Sequence, residues 1–160
     1  MVAGEIAIRP AVEADAPQVA EVYLASRREL VSFAPLAHPD EAVKRWVADQ
    51  LMRASAVTVA VSGAGLGTIV GMMALTRRDD VGWLDHLYVS PSHVGRGIGT
   101  RLLEHAKAEL GSPIRLYTFQ ANEGARRFYE RHGFRALAFC DGSGNEERCP
   151  DVLYEWTETT

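Results

Sequence analysis

The chain has 160 residues, 47% hydrophobic and 24% charged, with a formal net charge of −4. That is the length of one domain with a full core, too short for two, and no apolar run approaches the roughly 18 residues that span a bilayer. Mild acidity with both signs interspersed argues against a nucleic-acid binder, suits a cationic small-molecule partner and leaves room for a homodimer.

The elements follow from periodicity and punctuation. Met1–Glu5 has neither the basic nor the apolar region of a signal peptide, so a cytoplasmic location is expected. Glu5–Arg9 alternates, with Ile6 and Ile8 on one side, as a short strand halted at Pro10. Asp15 stands as N-cap before Pro17, a residue type favoured at a first helical position. Val19, Val22, Tyr23, Ser26 and Leu30 then recur with helical period. Pro35 and Pro39 interrupt, and Asp40–Arg53 reads as a second amphipathic helix through Val43, Trp46, Val47 and Leu51.

From here the period is that of strands. Ala56–Val61, a Ser62–Gly65 turn, Thr68–Leu75, an Arg77–Asp80 turn and Val81–Val89 form an expected antiparallel meander. A third helix carries Ile98, Leu102, Leu103, Ala106 and Leu110 on one face and ends at Gly111. Ile114–Phe119 is a strand. Asn122–His132 is a helix with Asn122 as N-cap and Gly133 as C′ residue, and Phe134–Phe139 with Val152–Trp156 makes a closing hairpin. No repeat or linker intervenes. The expectation is one mixed α/β domain over residues 1–160, ordered β-α-α-β-β-β-α-β-α-β-β, with parallel pairing across the third helix.

Cys140 and Cys149 flank a polar loop within reach of hairpin closure, yet in a reducing cytoplasm two free thiols are expected. The histidines at 38, 86, 93, 105 and 132 show no metal-ligand spacing with the cysteines or with paired carboxylates, so no metal site is expected.

The segment Leu87-Tyr88-Val89-Ser90-Pro91, then Val94-Gly95-Arg96-Gly97-Ile98-Gly99-Thr100, carries most of the chemistry. A strand stops at a proline, and three alternate glycines lead into a helix. Such glycines let backbone N–H groups converge, and the helix start adds unpaired amides and the positive dipole end. Together they make a phosphate site, and a phosphorylated cofactor is expected. Spacing excludes two of the common cofactor loops. Gly-x-Gly-x-x-Gly meets Thr100 or Leu102 in its last place, and no Walker Lys-Ser/Thr pair follows. A plain helix-capping turn is the other reading of these glycines.

Leu87-Tyr88-Val89-x-Pro91, Gly95-x-Gly97-x-Gly99, Leu102-Leu103 and Asn122-x-x-Ala125-x-x-Phe128-Tyr129-x-x-x-Gly133-Phe134 resemble, in order and separation, the GNAT superfamily of acetyl-CoA-dependent N-acetyltransferases. The blocks span about Trp83 to Phe139. The resemblance implies a central mixed, mostly antiparallel sheet of six to seven strands flanked by about four helices. It implies an acyltransferase with acetyl-CoA as co-substrate and no metal. The acceptor is then a primary amine of a small molecule, amino acid or peptide, which attacks the thioester directly. One departure is Val94, where the family loop opens on Gln or Arg; if backbone N–H groups do most of the holding, only a side-chain contact is lost, and Arg96 is placed to return some charge.

The resemblance also distributes roles. The pantetheine arm lies along Leu87, Tyr88 and Val89, admitted by a splay between that strand and Ile114–Phe119, and a backbone N–H there stabilises the oxyanion. The pyrophosphate sits on amides from Gly95 to Thr100, with Ile98 among them, and Asn122 and Phe128 stand near the cofactor. Tyr129 matches the tyrosine that protonates the departing thiolate, a role open to a phenol of pKa about 10; by spacing alone it is a core aromatic beside Phe128. For a general base, Asp85 is the first candidate and His86 the second, although strand alternation sends them to opposite faces unless a bulge intervenes. Acceptor selectivity falls to Arg27, Glu29, Phe33 and His38 and to Asp141–Arg148. Arg126, Arg127 and Arg131 reach cofactor phosphates or coat a helix face. The alternative to an enzyme is a non-catalytic acyl-CoA-binding sensor or assembly module of the same fold.

Overall fold

The computed structural model describes residues 5–63 and 67–158. Part of the expected Ser62–Gly65 turn, and Met1–Gly4, lie outside the described residues. The strands are β1 (Ile6–Pro10), β2 (Ala56–Ser62), β3 (Thr68–Arg78), β4 (Val81–Val89), β5 (Ile114–Phe119), β6 (Arg135–Cys140) and β7 (Asp151–Trp156). The helices are α1 (Ala16–Leu30), α2 (Asp40–Trp46, continued through a π-helical turn at Val47–Leu51 to Met52–Ala54), α3 (Ile98–Leu110) and α4 (Glu123–Arg131). Their order is the one the sequence predicts.

The strands form one sheet in the order β1-β2-β3-β4-β5-β7-β6. Every neighbouring pair is antiparallel except β4–β5, which is parallel across α3. One face packs on α1 and α2 through Val19, Tyr23, Val47, Val59, Met72 and their neighbours. The other packs on α3 and α4 through Met73, Leu84, Leu102, Leu103, Leu116, Tyr129 and Tyr154. Alternation along each strand supplies both faces, because successive side chains point to opposite sides.

Helix α3 lies very close to the sheet. A Cβ built on Gly71 would stand 3.1 Å from Ile98 Cγ2 and 3.3 Å from Leu102 Cδ1, so a side chain there requires these helix side chains to shift by a few tenths of an ångström. Leu102 is fully buried at this contact, and its truncation to alanine costs about 2–5 kcal/mol.

Two local predictions need correction. The Arg77–Asp80 turn is tighter than four residues: β3 runs to Arg78, and only Asp79 and Asp80 turn, at φ 51° and 65°. Positive φ at both central positions marks a type I′ turn, whose twist matches that of the flanking strands. Asp15 does precede α1, but its carboxylate does not cap it. It accepts from the Val12 amide at 2.8 Å and from Arg9 at 2.7 and 3.1 Å, bracing the preceding turn. Those Arg9 bonds hold the Asp15 carboxyl below the ordinary carboxylate range.

Beyond Trp83 the sheet opens. β4 and β5 pair only at Gly82–Ile114 and Trp83–Arg115. β4 then stays with β3 as far as Val89, opposite Gly71, while β5 stays with β7 as far as Phe119, opposite Asp151. Each strand is held by its outer neighbour. The facing edges from Leu84 and Leu116 onward are left without a strand partner.

Candidate active site

The splay is the floor of a cleft of about 750 Å³. One end is built by the glycine loop. Gly95 and Gly97 adopt φ of 77° and 81°, the left-handed region that a Cβ disfavours, and Gly97 is the N-cap of α3. The first bond of the helix is Arg101 N to Gly97 O at 3.1 Å. Among the described residues, none of the N–H groups from Val94 to Thr100 donates to a backbone carbonyl. Seven amides are thus free beside the positive end of a helix dipole, an arrangement suited to an anion. Asn122 begins α4 across the cleft, its Oδ1 accepting from the Ala125 amide at 3.1 Å as its spacing predicts.

Along the splay the cleft is lined by Leu84–Val89 of β4 and Tyr117–Phe119 of β5, with Phe128 and Tyr129 of α4 on one side. At the far end it meets Ser26, Leu30 and Val31, where α1 ends. Every residue singled out from sequence as catalytic or cofactor-binding lines this cleft except Arg96. Arg131 also lines it; Arg126 instead donates to Tyr154 Oη at 3.2 Å, and Arg127 pairs with Glu123.

Tyr129 sits among Phe128, Phe134 and Tyr154, with ring centroids 5.2–6.4 Å away. Burial pushes its phenol well above the ordinary 10. The hydroxyl therefore stays protonated at neutral pH. Core aromatic and cleft-lining residue are the same side chain.

A bulge decides where Asp85 and His86 point. Ala74 pairs with His86 and Leu75 with Leu84, so Asp85 is the extra residue on β4. Both side chains consequently lie on the α1/α2 face and both line the cleft. Asp85 accepts from Thr76 Oγ1 at 2.5 Å and from Arg78 Nη2 at 3.3 Å. His86 is packed edge-on against Tyr23 and Trp46 at 5.6 and 5.4 Å, with its Nδ1 buried and without a hydrogen-bond partner among the described residues. Burial pushes its pKa down to about 4. At neutral pH it is an uncharged imidazole of low proton affinity.

The loops assigned to acceptor selectivity meet each other. Arg27 donates to Glu147 Oε2 at 2.9 Å and to the Ala34 carbonyl at 3.0 Å, and His38 lies 3.0 Å from Glu146. Cys140 and Cys149 are free thiols. Sequence reasoning missed Leu30, Val31 and Phe119 as cleft residues; their apolar periodicity reads as core, and only the splay exposes them.

The sequence profile of the Acetyltransferase (GNAT) family matches residues 20–134. The chain belongs to that family. Solved structures agree on the fold over essentially whole chains. The GNAT chain is similar to PaiA N-acetyltransferase of Thermoplasma acidophilum, solved in complex with coenzyme A, with 20% identity, 96% of this chain and 99% of that one covered, and a TM-score of 0.74. YjaB of Escherichia coli in its apo form gives 23% identity, 99% and 100% coverage and a TM-score of 0.76. NAA60 of Arabidopsis thaliana, in complex with a bisubstrate analogue, gives 16%, 97% and 100%, and 0.72. No curated protein matches this chain by sequence. Membership of this family places the chain among the acetyltransferases.

Proposed function

We propose that the cleft binds acetyl-CoA and that the protein is an N-acetyltransferase for a primary amine of a small molecule, amino acid or peptide. The observation that carries this reading is the continuity of the cleft. Free amides at Val94–Thr100 suit a diphosphate, and the unpaired edge of β4 at Leu87, Tyr88 and Val89 suits the amides of a pantetheine arm. Tyr129 stands beside that edge. Val94 presents no polar group, so the diphosphate is held by main-chain donors, whose geometry the loop glycines set.

The amine attacks the thioester carbonyl, its C–N bond forming as the C–S bond breaks, and the developing oxyanion is met by a β4 amide. The Tyr129 hydroxyl gives its proton to the departing CoA thiolate. The proton shed by the ammonium passes, through water, to Asp85. That carboxylate reaches the cleft from the bulge and can attract an ammonium, whereas the His86 imidazole is uncharged and packed between Tyr23 and Trp46 with its Nδ1 buried.

The test is direct. Saturating acetyl-CoA should raise the melting temperature, since it binds the native state alone, and thiol release on adding amines should report turnover. A thermal shift without turnover on any amine would favour the acyl-CoA-binding module. The absence of a shift would remove the reading altogether.

A further inference from the structure

The α1/α2 face of the sheet is aromatic over β5, where the Arg27 guanidinium of α1 lies 5.7 Å from the Phe119 ring and Tyr117 is left open. Trp83 stacks with Tyr117, ring centroids 5.9 Å apart and planes 16° apart, and carries the Arg78 guanidinium 4.6 Å above its ring. Tyr117, at the end of this stack, is 54% exposed and lines the cleft. Two residues along β5, on the same face, Phe119 also lines the cleft and meets Phe33 edge-on at 6.1 Å. Leu30 and Phe33, at 42% and 40% exposed, border this end too. Large apolar side chains left in water are uninformative singly, but gathered round the mouth of a cleft they mark a surface that a ligand covers.

We propose that the acceptor amine carries an aromatic ring, held on the exposed Tyr117 beside Phe119, with its ammonium directed past Asp85 to the acetyl group. This rests on the N-acetyltransferase reading and names the substrate class within it. One face of Tyr117 stacks on Trp83, and its 54% exposure leaves ring surface for a flat ligand to cover, beside Phe119 two residues along the strand. The parallel register sets Trp83 opposite Arg115. Two residues beyond that pair, Asp85 and Tyr117 stand at the mouth of the splay, and Leu87 lies about 7 Å past Asp85 along β4. A ring with its amine on a short alkyl chain covers that step. Asp85, whose carboxylate is shared with Arg78 at 3.3 Å, still offers the ammonium an acceptor, and the exposed Tyr117 ring offers a face for stacking.

The experiment compares thiol release with 2-phenylethylamine and tryptamine against 2-cyclohexylethylamine and n-hexylamine, whose amines are of similar basicity but which lack an aromatic face. The expected result is a kcat/KM about tenfold higher for the aromatic amines, the discrimination available to one or two good ring contacts. That ratio should fall to near one in Tyr117→Ala through KM rather than kcat, and survive in Tyr117→Phe. The amide of Phe-Gly distinguishes the source: preference for it over 2-phenylethylamine assigns a peptide N-terminus, the reverse a free amine. Equal or better turnover of the aliphatic amines, or an unchanged ratio in Tyr117→Ala, overturns the inference and leaves the acetyltransferase reading standing. No release with any amine, and no binding of tryptamine to the CoA-loaded protein by calorimetry, overturns it as well, and then an acetyl-CoA thermal shift decides whether the cofactor reading survives.

Discussion

Arg27 and Glu147, 120 residues apart in sequence, meet at 2.9 Å and tie the end of α1 to the β6–β7 loop. The arginine side chain is 4% exposed and the glutamate 15%. The guanidinium also donates to Ala34 O at 3.0 Å, and its Nε has no hydrogen-bond partner among the described residues. Removing one member of such a pair strands a charge, so the two deletions should differ. Glu147→Ala leaves a buried cation and should lower unfolding free energy by about 3 kcal/mol, near the usual cost of breaking a buried pair. Arg27→Met fills the same space and leaves a carboxylate that water reaches more easily, so it should cost less. Urea titration of both variants measures the order, and a larger loss for Arg27→Met would contradict it.

His86 should set an acid limit on stability. Its imidazole titrates near 6.5 when unfolded and near 4 when folded, because burial disfavours the cation. Between those values the unfolded chain holds a proton that the folded chain refuses. Stability therefore rises with pH through this window and is lost as pH falls through it, by up to about 3 kcal/mol. His86→Phe keeps a ring against Tyr23 and Trp46 and should flatten that limb of the melting-temperature curve. A curve unchanged between pH 4 and 6.5 would show that His86 does not titrate as its burial dictates.

The glycine loop makes a prediction with two readouts. Gly97 holds φ 81° with no atom within 4 Å of where a Cβ would be, so the conformation alone opposes substitution. Gly97→Val should lower the apo protein's stability by about 1–2 kcal/mol. It should also weaken acetyl-CoA by at least tenfold, because the free amides of Val94–Thr100 lose their common aim. Thermal shift against cofactor concentration separates the two effects. Weaker stability with intact affinity would relocate the anion site.

Much of this arrangement was legible in the chain because its signals are local. Pro91, the alternate glycines and the Asn122 and Gly133 caps each act within a few residues, and they set the ends of β4, α3 and α4 where the structure has them. The parallel β4–β5 pair was equally readable, since a helix must bridge it. What escaped were consequences of pairing at a distance. The bulge at Asp85 depends on β3 register, and alternation alone would have put Asp85 and His86 on opposite faces. Leu30, Val31 and Phe119 have the spacing of core residues, and only the divergence of β5 toward β7 turns them into cleft walls. Asp15 had the right position for a cap, but Arg9, six residues earlier, draws its carboxylate the other way.

Tyr129 and Asp85 are assigned opposite proton transfers, and their variants should fail differently. Tyr129→Phe removes only the hydroxyl from a ring packed by Phe128, Phe134 and Tyr154. Fold and acetyl-CoA affinity should hold while kcat falls about 10²-fold, the lower range for loss of a general acid. Burial keeps this phenol protonated, so ionisation of Tyr129 should produce no alkaline fall in the wild-type rate between pH 7 and 10. Asp85→Asn keeps a group that accepts from Thr76 but takes up no proton. Its rate should suffer most at low pH, where the amine is almost wholly protonated, and should recover toward wild type as pH approaches the pKa of the amine. Stopped-flow thiol release across pH 6–10 measures both profiles. A Tyr129→Phe rate equal to wild type would return that ring to the core alone, and an Asp85→Asn deficit independent of pH would move the proton acceptor elsewhere in the cleft.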